Sequence, residues 1–295
     1  MRILKPLLYL LFFMTLASCR IIQQPSVGGD IISSSGTMDC LVGECIVPVS
    51  GVLDQTFTAR PHAGFEFVTW KILCSHQPSA VCDLLVPADF TLHDIDVQQV
   101  ALFAPTPTDN LATERLVFET NYGYIVLELF GDLSPITVEN FVTYVDAGFY
   151  SGTIIHRVFS GGINGIQGGG FGWDPEAGEY PTSGLYSKVT GDPIENESFN
   201  GLSNIPGTIA MARTTAPDSA TGQFFFNFGD NSQLDYVSDA QDGYAVFGRV
   251  VTGSEIIETI YNLELFTNFN SPFGDLPTVP VIINNITRHP MPETQ

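Results

Sequence analysis

Two stretches decide the reading of this chain: His156-Arg157-Val158 leading to Gln167-Gly168-Gly169-Gly170, and Met211-Ala212-Arg213 leading to Gln223-Phe224-Phe225-Phe226. They carry one arginine, one glutamine amide and a run of aromatics on segments that a sheet can present on a single face. Successive strand residues point to opposite faces, so Phe224 and Phe226 read as core and Phe225 as free for a site. No paired carboxylate, Ser/His/Asp set or metal-ligand cluster accompanies them. The combination suits a reaction with no covalent step and no proton transfer, and His156 therefore reads as structural. A phosphate loop would need a following GK[ST], which is missing. The glycines read instead as room for close backbone approach.

Working outward, residues 116–120 and 124–130 form a hairpin pattern around Tyr122-Gly123. Ser134-Pro135 opens a helix, with Ser134 as its N-cap and apolar positions 138, 141, 142 and 145 at helical spacing. Further strands are expected at 154–158, 207–212, 223–227, 245–251 and 278–287, and a second helix at 255–263. Many short strands with two helices predict a mainly β fold, a closed antiparallel barrel capped by two helices. It would span 114–289, with a tail at 290–295.

The chain has 295 residues, 44% apolar and 12% aromatic, and a formal charge of −21 from 11 Lys+Arg against 32 Asp+Glu. Such a surface repels phosphate backbones, which excludes nucleic acid as a partner. It offers no basic patch to anionic lipid, and the acidity serves solubility.

Residues 1–18 carry Arg2 and Lys5 ahead of an apolar run, 7–16, too short to be a membrane span. They read as a signal peptide. Leu16-Ala17-Ser18-Cys19 resembles a bacterial lipobox, and that resemblance implies lipidation of Cys19 and membrane attachment through it. Arg20 in place of Asp implies no inner-membrane retention signal. Residues 19–37, with Gln23-Gln24-Pro25-Ser26 and Ser33-Ser34-Ser35-Gly36, lack apolar periodicity and read as a flexible tether.

Residues 38–104 read as a small β domain with strands at 56–59 and 65–70 and a turn at 61–64. Its four cysteines, Cys40, Cys45, Cys74 and Cys82, read as disulfides in an exported protein. Three pairings are possible, and the short spacings favour Cys40–Cys45 and Cys74–Cys82. A zinc site is the rival, but the spacings are not CxxC. Residues 105–113, with Pro105 and Pro107, form an extended linker.

The residues of the two opening stretches closely resemble the cyclophilin-type peptidyl-prolyl cis-trans isomerases, especially the bacterial periplasmic ones. The resemblance covers 114–289. It implies a cyclophilin barrel, catalysis without cofactor or metal, and proline-containing polypeptides as clients. It makes Arg157 the catalytic guanidinium, Gln167 the amide that helps hold it and the substrate backbone, and Phe225 the floor of the proline pocket. Met211, Ala212 and Gln223 fall along the peptide groove, Leu234 on an apolar wall, and Tyr244 where many members have histidine. Two departures stand out. The interval from Arg157 to Gln167 is two residues longer than usual and lacks the family's second pocket aromatic, leaving Ile163 to replace it. Gln233 stands where animal members have tryptophan, which implies weak cyclosporin binding. The expected role is to assist folding of exported proteins from the cell envelope, lipid-anchored on the periplasmic side of the outer membrane. The alternative is a degenerate cyclophilin that binds proline segments as a chaperone with little turnover.

Overall fold

The computed structural model describes residues 19–41, 43–87, 95–238, 241–267 and 275–291. The expected signal peptide, 1–18, and most of the expected tail lie outside the described residues. The chain divides into two compact units, one ending at Phe103 and the other beginning at Ala104.

The first unit is a two-sheet sandwich. Its strands are β1 (Cys19–Pro25), β2 (Gly29–Ser33), β3 (Cys45–Val49), β4 (Leu53–Pro61), β5 (Phe65–Ile72), β6 (Val81–Val86) and β7 (Asp96–Pro105). One sheet runs β3-β1-β7-β5 and the other β2-β4-β6. The turn at 61–64 exists, but it joins strands of different sheets. The expected tether is not one: β1 pairs antiparallel with β3 and parallel with β7, and β2 pairs with β4. The alternation along β1 was hidden because its third inward residue is a glutamine. Cys19, Ile21 and Gln23 all face inward, and Gln23 Nε2 donates to Gln99 Oε1 on β7 at 3.0 Å. Two apolar clusters lie in the sandwich among the described residues. One gathers Phe57, Trp70 and Phe103, the other Cys19, Ile21, Val47 and Leu53. The cysteines pair as Cys40–Cys45 and Cys74–Cys82, with Cα separations of 5.6 and 5.7 Å, inside the range a disulfide requires.

The second unit contains β8 (Glu114–Thr120), β9 (Gly123–Leu129), α1 (Pro135–Asp146), β10 (Thr153–Phe159), β11 (Gly165–Trp173), β12 (Leu185–Ser187), β13 (Thr208–Met211) and β14 (Phe224–Asn227). It continues with β15 (Val246–Thr252), α2 (Ser254–Tyr261), β16 (Leu265–Thr267), β17 (Asp275–Pro277) and β18 (Ile282–His289). Eight strands close a ring in the order β10-β18-β8-β9-β15-β13-β14-β11, completed by the β10–β11 pairing. Both helices bury apolar side chains in the cluster that fills the ring: Val138, Phe141 and Val145 from α1, Ile257 and Ile260 from α2.

Two local expectations need correction. Ser134 precedes α1 but makes no side-chain cap; its hydroxyl donates to the Val246 carbonyl at 3.0 Å. The cap comes from Glu197, sixty-one residues away from Ile136. Its carboxylate accepts the N–H groups of Ile136 at 3.1 Å and Thr137 at 2.8 Å. A carboxylate there also opposes the positive end of the helix dipole. β11 was not expected as a strand, because three consecutive glycines depress strand propensity. Gly170 shows why they are tolerated: a Cβ there would lie 2.5 Å from the Gln223 side chain.

Candidate active site

The site grows from one row of side chains across the outside of the barrel. Register sets Arg157 of β10 opposite Gln167 of β11, Gln167 opposite Phe225 of β14, and Phe225 opposite Ala210 of β13. Directly paired residues share a face of the sheet. Phe225 joins Phe159, Ala210 and Val246 in a small apolar cluster, while Phe224 and Phe226 enter the barrel interior. The alternation read from the sequence at 224–226 is the observed one.

A pocket of about 130 Å³ opens above this cluster. A cavity of roughly 150 Å³ takes one benzene molecule, so the pocket suits a single five-membered ring. Arg157, Gln167, Phe225, Ile163, Ala212, Leu234 and Tyr244 line it, together with Phe159 and Arg213. Gln223 lines a neighbouring pocket that shares Gln167, Ala212 and Arg213 and continues the groove. Met211 does not belong to the groove. It is 2% exposed and sits in the barrel core, because β13 turns it to the opposite face from Ala210 and Ala212.

The second aromatic wall is present. Phe159 stands two residues beyond Arg157, on the same strand face, with its ring 5.9 Å from that of Phe225 at 70°. Ile163 therefore supplements a wall and does not replace one. Strand alternation from Arg157 already places Phe159 on the same face in the sequence. Arg213 was visible in its motif without a role. Its guanidinium lies 4.4 Å over the Tyr244 ring and donates to the carbonyls of Gly243 and Asp242 at 3.1 and 2.8 Å.

Gln167 does not hold Arg157 here. Its Nε2 donates to Gln223 Oε1 at 2.8 Å, and Gln223 in turn bonds the His156 side chain. Burial pushes the His156 imidazole down to about 4 from 6.5, so the ring is neutral at pH 7. A neutral, buried ring packed edge-on at 4.7 Å from Phe171 fits a structural part.

Arg157 is exceptional among the described arginines. Arg20, Arg60, Arg115, Arg249 and Arg288 donate to carboxylates, and Arg213 to carbonyls. Arg157 donates no hydrogen bond to any described residue. It is exposed, and its guanidinium carbon lies 5.4 Å from the centre of the Phe159 ring. A strong planar donor is thus held over an apolar pocket with its hydrogen-bonding capacity unspent.

Residues 115–288 match the family described as cyclophilin type peptidyl-prolyl cis-trans isomerase/CLD. The chain belongs to this family. It is 40% identical over 191 residues to peptidyl-prolyl cis-trans isomerase A of Dickeya dadantii, covering 65% of this chain and 92% of that protein. It is 43% identical over 174 residues to isomerase B of Escherichia coli, covering 58% and 98%. A Cryptosporidium parvum cyclophilin solved in the presence of the dipeptide Ala-Pro is similar at 26% identity and a TM-score of 0.45, over 59% of this chain and 98% of that one. The protein is a peptidyl-prolyl cis-trans isomerase, and its barrel is the isomerase domain.

Proposed function

We propose that this isomerase assists the folding of exported polypeptides and that Arg157 supplies the main transition-state interaction. The unspent guanidinium over the Phe225–Phe159 pocket carries the reading. Rotation about an Xaa-Pro bond must break amide resonance, a barrier of about 18–20 kcal/mol. As the bond twists, the prolyl nitrogen becomes pyramidal and recovers a lone pair. A donor aimed at that nitrogen binds the twisted state and little of the planar one, which is how a site lowers a barrier. The proline ring would rest on Phe225 against Phe159, with the client backbone running past Ala212 toward Gln223. No general base is required, consistent with a neutral His156. Arg157→Ala is expected to lower kcat/KM by about a hundred- to a thousandfold, roughly 3–4 kcal/mol, with an unchanged melting curve. Wild-type turnover in the purified variant would reject the assignment.

Two disulfides support work in an oxidising compartment. The Leu16-Ala17-Ser18-Cys19 pattern supports attachment to the cell envelope through a lipid on Cys19. The Cys19 side chain is 1% exposed at the start of β1, so attachment through its sulfur requires that strand end to peel from the cluster around Ile21. Mass spectrometry of membrane-fractionated protein is expected to find Cys19 as a diacylated N-terminus. A soluble product, or one starting at another residue, would defeat the anchor.

A further inference from the structure

The long loop between β10 and β11 is fixed at two levels. Its base is tied to the barrel at Asn164: the backbone N–H donates to Asn231 Oδ1 at 2.8 Å, Asn231 Nδ2 donates back to the Asn164 carbonyl at 2.8 Å, and the Tyr261 hydroxyl of α2 donates to Asn164 Oδ1 at 3.0 Å. Asn231 is fully buried. Its tip is different. Gly161 and Gly162 have φ of +91° and +117°, and a Cβ on either would meet nothing within 4 Å. Ile163, which lines the proline pocket, hangs between this open tip and the fixed base. The hydrogen bond that holds the tip from outside the loop comes from Gln233, whose Nε2 donates to the Gly162 carbonyl at 2.7 Å. Gln233 adjoins Leu234, another pocket residue, so one short segment supplies both a wall and the hold on the facing loop.

We infer that Gln233 is a positioning residue for proline binding, a latch that keeps Ile163 against the pocket by holding the Gly162 carbonyl. This rests on the reading that the proline ring occupies the Phe225–Phe159 pocket. The latch is neither covalent nor buried. Its hydrogen bond orders glycine-rich backbone that is costly to fix, and it presents Ile163 before a client arrives. The ring is gripped in both ground and transition states, so losing the latch weakens binding without slowing the chemical step. The acceptor is a carbonyl, so the residue must present N–H; an ionised carboxylate of the same shape cannot.

The test measures kcat and KM on the full chain by NMR exchange with a proline-containing peptide, which needs no coupling protease. Gln233→Ala is expected to raise KM three- to tenfold with kcat within twofold. Gln233→Glu is expected to match it at pH 7. Its KM ratio to wild type is expected to return toward one as the new carboxyl protonates and regains a donor; taking the ratio at each pH cancels changes shared by both proteins. In a chain whose 160–166 loop is shortened by two residues, Gln233→Ala is expected to have no effect. An unchanged KM in Gln233→Ala, an equal loss in the shortened background, or a pH-independent Gln233→Glu ratio would each overturn the latch. The reading beneath it fails separately: a fully active Arg157→Ala rejects the pocket assignment while leaving the Gln233 comparison legible.

Discussion

The barrel and the N-terminal sandwich handle strand edges and cores in opposite ways. The barrel closes its eight strands on themselves and leaves no edge in the ring. One continuous cluster, from Leu116 to Ile286, fills it with the help of both helices, and it contains no cysteine. The sandwich leaves β3 and β5 at the edges of one sheet and β2 and β6 at the edges of the other. Among the described residues its interior holds two clusters, with the buried Gln23–Gln99 pair among the inward-facing groups. Small cores supply little surplus over conformational entropy, and here two disulfides accompany them. A unit that can enclose a single core needs no crosslink and can place a pocket on its outer face.

The contrast can be tested unit by unit because each holds one tryptophan, Trp70 in the sandwich and Trp173 in the barrel. The largest effect is the loss of turnover in Arg157→Ala. It sharpens the contrast if neither tryptophan's unfolding curve moves, and breaks it if the barrel's falls, since Arg157 would then be structural.

Next comes acid. His156 has a folded value near 4 against 6.5 for an ordinary imidazole. Between those values the unfolded barrel binds more protons than the folded one, so stability present above pH 6.5 is lost as pH falls toward 4. The full loss is about 3 kcal/mol. In a Trp70→Phe chain, Trp173 emission is expected to show that decline. The sandwich's Asp30, held below 3.8 by Arg60 and His62 against its own burial, yields its contribution only below that range. A barrel curve flat from pH 6.5 to 4 would contradict the buried neutral His156.

The smallest effect concerns the crosslinks. They close loops of sequence separation 5 and 8, and the chain-entropy account gives about 2–3 kcal/mol for each. Cys74→Ser with Cys82→Ser is expected to lower the sandwich's stability by that amount in a Trp173→Phe chain. The same cysteine substitutions with Trp173 retained are expected to leave kcat/KM unchanged. Parallel loss of activity would mean that the two units do not stand independently.

What the sequence disclosed follows the same division. Parts of the barrel were legible where strands adjacent in sequence pair, as in the β8–β9 hairpin, although its closure through β18 and β8 joins residues far apart in the chain. Arg157, Gln167 and Phe225 were singled out through the resemblance to the cyclophilins, and the structure brings all three to one pocket. Phe159 lies on the strand ahead of the lengthened loop, and Met211 faces the core although its neighbour Ala212 lines the groove. β1 escaped because a glutamine occupies an inward position and because its parallel partner, β7, lies some 76 residues away. Long-range pairing leaves no trace in a local pattern. The cap from Glu197 was invisible for the same reason.

The position of Phe159 on a strand has a consequence for timing. Arg157 and Phe159 sit two residues apart on one paired segment, so their backbone anchors move together. Loop tips fluctuate in nanoseconds to microseconds, whereas an unassisted prolyl bond turns over in tens of seconds or more. The entrance beside Ile163 can therefore open and close many thousands of times within the life of one uncatalysed isomer, while the strand that carries donor and ring stays in place. Motion of the loop sets how often a client is admitted. The geometry it meets inside is set by the strand.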